Sequence, residues 1–256
     1  MQKERPAQKT FVNEALRLIA EAQKEGILLR LMGAIAIRIH SPDFAFIHLE
    51  LSRDITDIDF VGYEKQASKI EKFLESQNYS RRMLAFSFAM GGRMIFINNA
   101  DGRQIDVFLD RLEMCHRIEY KQRLEIDTHT VPLAELLLQK MQIVKISQKD
   151  IIDTTILLRE HDLAETDQNL INIKHISAIL AKDWGFFHTV TTNLKKVRTL
   201  IQDFNVLSEQ DKQIVRDRID KMLHYFESTP KSSSWKMRAK VGESKKWYRD
   251  VDTPSA

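Results

Sequence analysis

With 256 residues and 43% hydrophobic content, the chain can bury one large core or two modest ones and has the balance of an ordinary globular protein. Charged residues make up 29%, yet 39 Lys+Arg against 36 Asp+Glu leave a net charge of only +3, so bulk attraction to nucleic acid is excluded and any such binding needs a local patch. The single cysteine, Cys115, excludes an internal disulfide framework and fits a reducing compartment.

In chain order, Phe11, Ala15, Leu18, Ile19 and Ala22 fall at helical spacing, and Gly26 follows as a stop. This amphipathic pattern replaces the continuous apolar region of a secretion signal. The most apolar stretch, "GILLRLMGAIAI", is too short for a membrane span and is interrupted by Arg30. A cytoplasmic, non-membrane protein is expected. "ILLRL" (27–31) reads as a buried strand, and Gly33 leads into a helix start at "AIAIRIH". Residues 55–62 read as a second strand and 64–77 as a second helix, followed by strands in "RRMLAFSFA" and "RMIFINN". Gly91-Gly92 between these two fits a turn. The turn "NNADG" then predicts that "RMIFINN" and "RQIDVFL" pair antiparallel, because Asn, Asp and Gly tolerate positive φ. Another strand is expected near 122–127.

From Pro132 the pattern is helical, over 132–145, 148–160, about 172–205 with a break, and 208–227. Large apolar residues in "DWGFFHTVTTNL" sit at core-packing spacing. The expected organisation is an α/β (α+β) domain with a small mixed sheet over 1–130, an all-α domain over 131–228, and a linker with a basic tail over 229–256, the active site lying in the cleft between the two domains.

The chemistry concentrates in the strands. "RDITDIDFVGY" carries Asp57 and Asp59 on one face, about 7 Å apart along the strand, so a nearby positive group is expected to offset their repulsion. Asp106 repeats the pattern in "QIDVF". Taken alone, such acids also read as solvated strand ends. Three converging carboxylates would suit a hard oxygen-seeking ion such as Mg²⁺, and two such ions would clamp an in-line attack on phosphorus. Gly33, between strand and helix, allows close backbone approach by a phosphate.

These residues resemble the polymerase β-like nucleotidyltransferases, whose pattern reads here "LMGA", "TDIDF" and "QIDVF". "GAIAIRIH" with "RDITDIDF" is similar more narrowly to the AbiEii-type nucleotidyltransferases of type IV toxin–antitoxin systems, which also carry a later Lys and an Arg/Lys-Asp-x-x-Asp helix. The counterparts are Lys140 and Lys149-Asp150 with Asp153. The resemblance spans residues 28–158 and implies that Asp57, Asp59 and Asp106 are catalytic and hold two Mg²⁺ ions. It further implies that Gly33, Ala34, Lys140 and Asp153 contact the NTP. His40, Arg53, Lys149 and Asp150 become candidates for substrate contacts. Ala34 stands where the family usually has Ser or Gly, which removes a hydroxyl but keeps the backbone N–H. The insertion "SPDFAFIHLELS" reads either as a substrate-specific segment or as a plain loop.

Several of these residues have a second reading. Ser147 with Asp150 forms a capping box, Asp153 and Lys140 fit a solvated helix surface, and His40 fits a hydrogen-bonded histidine without a catalytic task. In the tail, Lys231, Lys236, Arg238, Lys240, Lys245, Lys246 and Arg249 alternate with Trp235, Trp247 and Tyr248. That mix suits RNA binding, or tryptophans anchoring the tail to the helices. The function implied is transfer of a nucleoside monophosphate from an NTP to an acceptor hydroxyl, on RNA such as the tRNA 3′ end in a toxin-like enzyme with an antitoxin partner. The alternatives are a small-molecule (antibiotic) or protein acceptor, and an inactive nucleotide- or partner-binding module of the same fold.

Overall fold

The computed structural model describes residues 6–82 and 92–251. Their chain forms a mixed five-stranded sheet followed by a helical region, the α/β (α+β) arrangement expected from the sequence. Two compact units divide it. The first comprises residues 1–42, 52–113 and 117–132, and the second 43–51, 114–116 and 133–256.

In the first unit, helix α1 (Pro6–Lys24) buries Ala15, Leu18, Ile19 and Ala22 against strands β1 (Leu29–Met32) and β2 (Asp57–Gly62). Gly26, at φ +67°, turns the chain from helix to strand. Helix α2 (Gly33–His40) follows β1 directly, and α4 (Ala67–Ser76) leads into β3 (Tyr79–Arg81). Strands β4 (Met94–Asn98) and β5 (Gln104–Leu109) pair antiparallel as the turn predicts, with Met94 opposite Val107. Asn98 Oδ1 accepts the N–H groups of Ala100 and Asp101, and Gly102 takes φ +73°.

The sheet order is β1-β2-β5-β4-β3, with β2 and β5 parallel and every other pair antiparallel. Strand alternation sends Ile58, Phe60, Ile105, Val107 and Phe96 to one face, all completely buried, each contributing about 1.5–3 kcal/mol. The opposite face carries the acids.

Two features of this unit differ from the expectation. Residues 122–127 form turns rather than a strand, because Arg30 donates to the carbonyls of Leu124 and Asp127 while the Asp127 carboxylate accepts the N–H groups of His129 and Thr130. Those side-chain bonds compete with a ladder. A short hairpin of β6 (Arg111–Glu113) and β7 (Arg117–Glu119) appears where no strand was anticipated. Most of the strand expected in "RRMLAFSFA", and Gly91 of the glycine pair, lie outside the described residues.

In the second unit, α5 (Leu133–Met141) is buried along its whole length against α6 (Gln148–Glu160), α7 (Ile173–Leu180) and α8 (Trp184–Leu200), and α9 (Glu209–Ser228) packs on those three. The region is not purely helical, since β8 (Leu163–Ala164) and β9 (Ile171–Asn172) make a two-residue parallel pair. Part of the insertion after α2 belongs here as well: helix α3 (Phe46–Glu50) packs on α6, and Glu160 accepts the N–H groups of Asp43 and Phe44. It is therefore not a plain loop.

Where a linker was expected, Ser232 caps a further helix, α10 (Ser233–Val241), which lies on α8. Trp235 meets Phe187 edge-on at 5.3 Å, Arg238 lies over Trp184 at 4.7 Å, and Trp247 Nε1 donates to Thr189 Oγ1 at 3.0 Å. A Cβ on Gly185 would approach the Trp247 carbonyl to 2.6 Å, so glycine is needed there. The tryptophans anchor the tail while Lys236, Lys240, Lys245 and Lys246 stay exposed. No helix among the described residues is long and apolar enough to cross a membrane.

His116 adds a pH dependence to this anchoring. It is 5% exposed, stacks on Phe186 at 4.8 Å and shares Thr189 Oγ1 with Trp247. Burial pushes its pKa down from 6.5 to about 4, with Arg249 reinforcing and Asp183 opposing. Below pH 6.5 the unfolded chain binds a proton that the folded chain refuses, so stability present above that pH is lost as pH falls towards 4. The expected loss is about 2 kcal/mol by pH 5. Urea melts at pH 7.5 and 5.0 should show that increment in the wild type and its absence in His116→Gln; equal pH dependence of the two would refute the assignment.

Candidate active site

The sheet face opposite the core brings Asp57, Asp59 and Asp106 together. β2 and β5 run parallel in register, with Asp59 beside Asp106 and Asp57 beside Gln104. One oxygen from each of the three acids lies within 4.8 Å of the others. Asp57 and Asp59 are half-buried and Asp106 is 2% exposed. Burial raises the Asp106 carboxyl above its usual range, the Asp57 charge adds to that, and the Arg93 guanidinium works against it.

Gly33 closes one side. Its φ is +67°, and a Cβ built there would stand 2.5 Å from Asp59 Oδ2. The sequence motif thus has a local steric cause, since the backbone at the β1–α2 junction passes against a carboxylate. Gly33→Ala is expected to cost at least about 1–2 kcal/mol for the left-handed backbone alone and to push the Asp59 side chain aside. The check is a thermal melt together with a crystal structure of the variant. An unchanged melting temperature and an unmoved Asp59 would contradict this account.

The positive group expected beside the acids is Arg93, just before β4. Its Nη2 lies 2.5 Å from Asp106 Oδ2, and Gln104 Nε2 donates to both oxygens of the same carboxylate at 3.2 and 3.3 Å. Sequence reading passed over Arg93, although the hairpin register places it two residues from Ile95, the partner of Asp106. Alternation along the strand then sends it to the acidic face.

The remaining candidates fall elsewhere. Ala34 is in the first turn of α2, and His40, at its end, bonds Thr130 Oγ1 at 2.5 Å. Arg53 is 8% exposed and donates to the Asp54 carbonyl. In the helical unit, Lys140 Nζ lies 2.8 Å from Asp153 Oδ2 and 3.7 Å from Asp150 Oδ1. The second Asp153 oxygen meets His48 Nε2 at 2.9 Å, with Asp153 and His48 both fully buried. The solvated surface anticipated for Lys140 and Asp153 is thus replaced by an interior network, closed by a histidine of the insertion that the sequence did not single out. Asp150 and Ser147 form the anticipated capping box, and Lys149 is exposed.

No family model matches the sequence, and no curated protein matches it. Among solved structures, the chain is similar to the antibiotic-resistance factor ANT(2″)-Ia in solution, at 12% identity over 68% of this chain and 95% of that one, with a TM-score of 0.41.

Chemically, the three-carboxylate cluster fits a divalent cation. Its donors are hard oxygens, they converge from adjacent strands, and the missing Cβ at Gly33 leaves the Asp59 oxygen clear.

Proposed function

We propose that this protein is a nucleotidyltransferase that moves a nucleoside monophosphate from an NTP to an acceptor hydroxyl and releases pyrophosphate. The observation that carries the reading is the in-register convergence of Asp57, Asp59 and Asp106 beside the Gly33 turn. The order of these residues along the chain supports it too, because it matches the motif order of the polymerase β-like enzymes.

In this reading Asp57, Asp59 and Asp106 hold Mg²⁺, as two ions in the resemblance. When bound, Mg²⁺ neutralises phosphate charge and polarises the phosphoryl oxygens. Asp106 also accepts the acceptor hydroxyl's proton. The Gly33 junction and the start of α2 let the triphosphate approach the backbone, with the Ala34 N–H serving where a side-chain hydroxyl is missing. Lys140 is the proposed phosphate contact in the helical unit.

RNA is the acceptor class that the toxin–antitoxin resemblance favours; small-molecule and protein hydroxyls are the competing classes. The test is label transfer with purified protein, Mg²⁺, each α-labelled NTP in turn and total cell extract, beside Asp59→Ala. Label in one fraction, lost in the variant, establishes the reaction and names the acceptor class. If no fraction is labelled with any NTP while Mg²⁺·NTP still raises the melting temperature, the inactive nucleotide-binding reading replaces the enzymatic one.

A further inference from the structure

Arg93 has an attribute that the acids' proposed metal role leaves unused, because it sits as a counter-ion on one of them. It precedes β4, and strand alternation puts its side chain on the same face as Asp106 and Phe108. The guanidinium reaches Asp106 Oδ2 through Nη2 at 2.5 Å and lies over the Phe108 ring at 5.4 Å. A quarter of its side chain is exposed, so a ligand can reach it. Its Nε is buried without a hydrogen-bond partner, so the fork holds a donor that Asp106 does not satisfy.

We propose that Arg93 is a built-in counter-ion of the acidic triad, which makes the triad take up a divalent cation together with a triphosphate rather than the cation alone. The proposal rests on the nucleotidyltransferase reading and adds the control of cation entry. A guanidinium fixed on one of three converging carboxylates repels an incoming cation and occupies part of the charge that would attract it. A triphosphate supplies what the pair lacks. Its oxygens offer acceptors for the exposed part of the guanidinium fork, and they bring negative charge that offsets the like-charge repulsion. Arg93 then exchanges Asp106 for phosphate oxygen as cation and nucleotide arrive together.

The two possible jobs of Arg93 predict opposite signs, which makes the test decisive. A group that merely orients Asp106 should, when removed, weaken cation binding; a counter-ion should, when removed, strengthen it. Mn²⁺ is the probe, titrated by electron paramagnetic resonance into the full chain with and without a non-transferable α,β-methylene triphosphate. Arg93→Gln is expected to bind Mn²⁺ alone at least about tenfold tighter than the wild type, with a correspondingly smaller gain from the triphosphate. Arg93→Lys, which keeps the charge, should stay within about threefold of the wild type. Unchanged or weaker Mn²⁺ binding by Arg93→Gln overturns the proposal.

If Arg93→Gln and Arg93→Met fail to fold without cation, Mn²⁺ is expected to restore their circular dichroism, because the unpaired carboxylates then gain a partner. Failure of that rescue overturns the proposal equally. A wild type that binds Mn²⁺ neither alone nor with triphosphate removes the nucleotidyltransferase reading as well. A wild type that binds both, with an unchanged Gln variant, removes this inference only.

Discussion

Asp59→Asn is expected to lower nucleotidyl transfer by at least about a thousandfold, equivalent to about 4 kcal/mol of transition-state stabilisation, while leaving the fold intact. Asp59 stands in register between Met32 on β1 and Asp106 on β5, and its Oδ2 faces the Gly33 backbone. An amide has nearly the same shape, so packing against Gly33 survives, but it removes a charge and, under the proposed function, a cation ligand. Relief of like-charge repulsion in the triad should leave the melting temperature equal to or above that of the wild type. Single-turnover label transfer and a thermal melt on the same preparation check both halves. Retention of more than about a tenth of the activity would mean that Asp59 is not a ligand in the reaction.

Asp153→Ala is expected to have the largest effect on stability, about 3–5 kcal/mol, because it strips one partner from a buried charged network. Asp153 is 0% exposed and accepts from both Lys140 at 2.8 Å and His48 at 2.9 Å, each on a different helix. Removing the carboxylate takes from the Lys140 ammonium, 11% exposed, its 2.8 Å partner and leaves the longer contact to Asp150 at 3.7 Å. For a chain of this size the melting temperature should fall by about 10 °C. Asp150→Ala offers the contrast, since it breaks a surface capping box and should cost about 1 kcal/mol. Should Asp153→Ala melt like the wild type yet lose stabilisation by Mg²⁺·NTP, the residue would be a nucleotide contact rather than a structural anchor. Should it lose both in proportion, the interior network explains the motif without a direct ligand role.

The sequence alone determined the strands β1, β2, β4 and β5 and the main helices, and it marked Asp57, Asp59 and Asp106 as candidates. That legibility has a local cause. Alternation with period two marks Ile58 and Phe60 as one face and Asp57 and Asp59 as the other. Asn98 to Gly102 specify a tight turn through their own side chains and a positive φ, and with the turn comes the pairing of β4 with β5. The capping box at Ser147 and Asp150 is likewise written within four residues.

Only the tertiary structure decided which groups meet across long separations. The parallel register of β2 and β5 sets Asp59 beside Asp106, 47 positions later in the chain, and no local pattern encodes that spacing. His48 on Asp153 joins residues 105 apart, and the burial that turns Lys140 and Asp153 from surface charges into an interior network depends on the surrounding helices. The tail shows the same division. Its alternating lysines and tryptophans were visible, but Phe187, Thr189 and Gly185 on α8 decide that the tryptophans pack inward while the lysines remain in water. Short-range pattern is set by backbone geometry and is readable from neighbours; long-range pairing is set by burial and charge compensation, which exist only once the chain has folded.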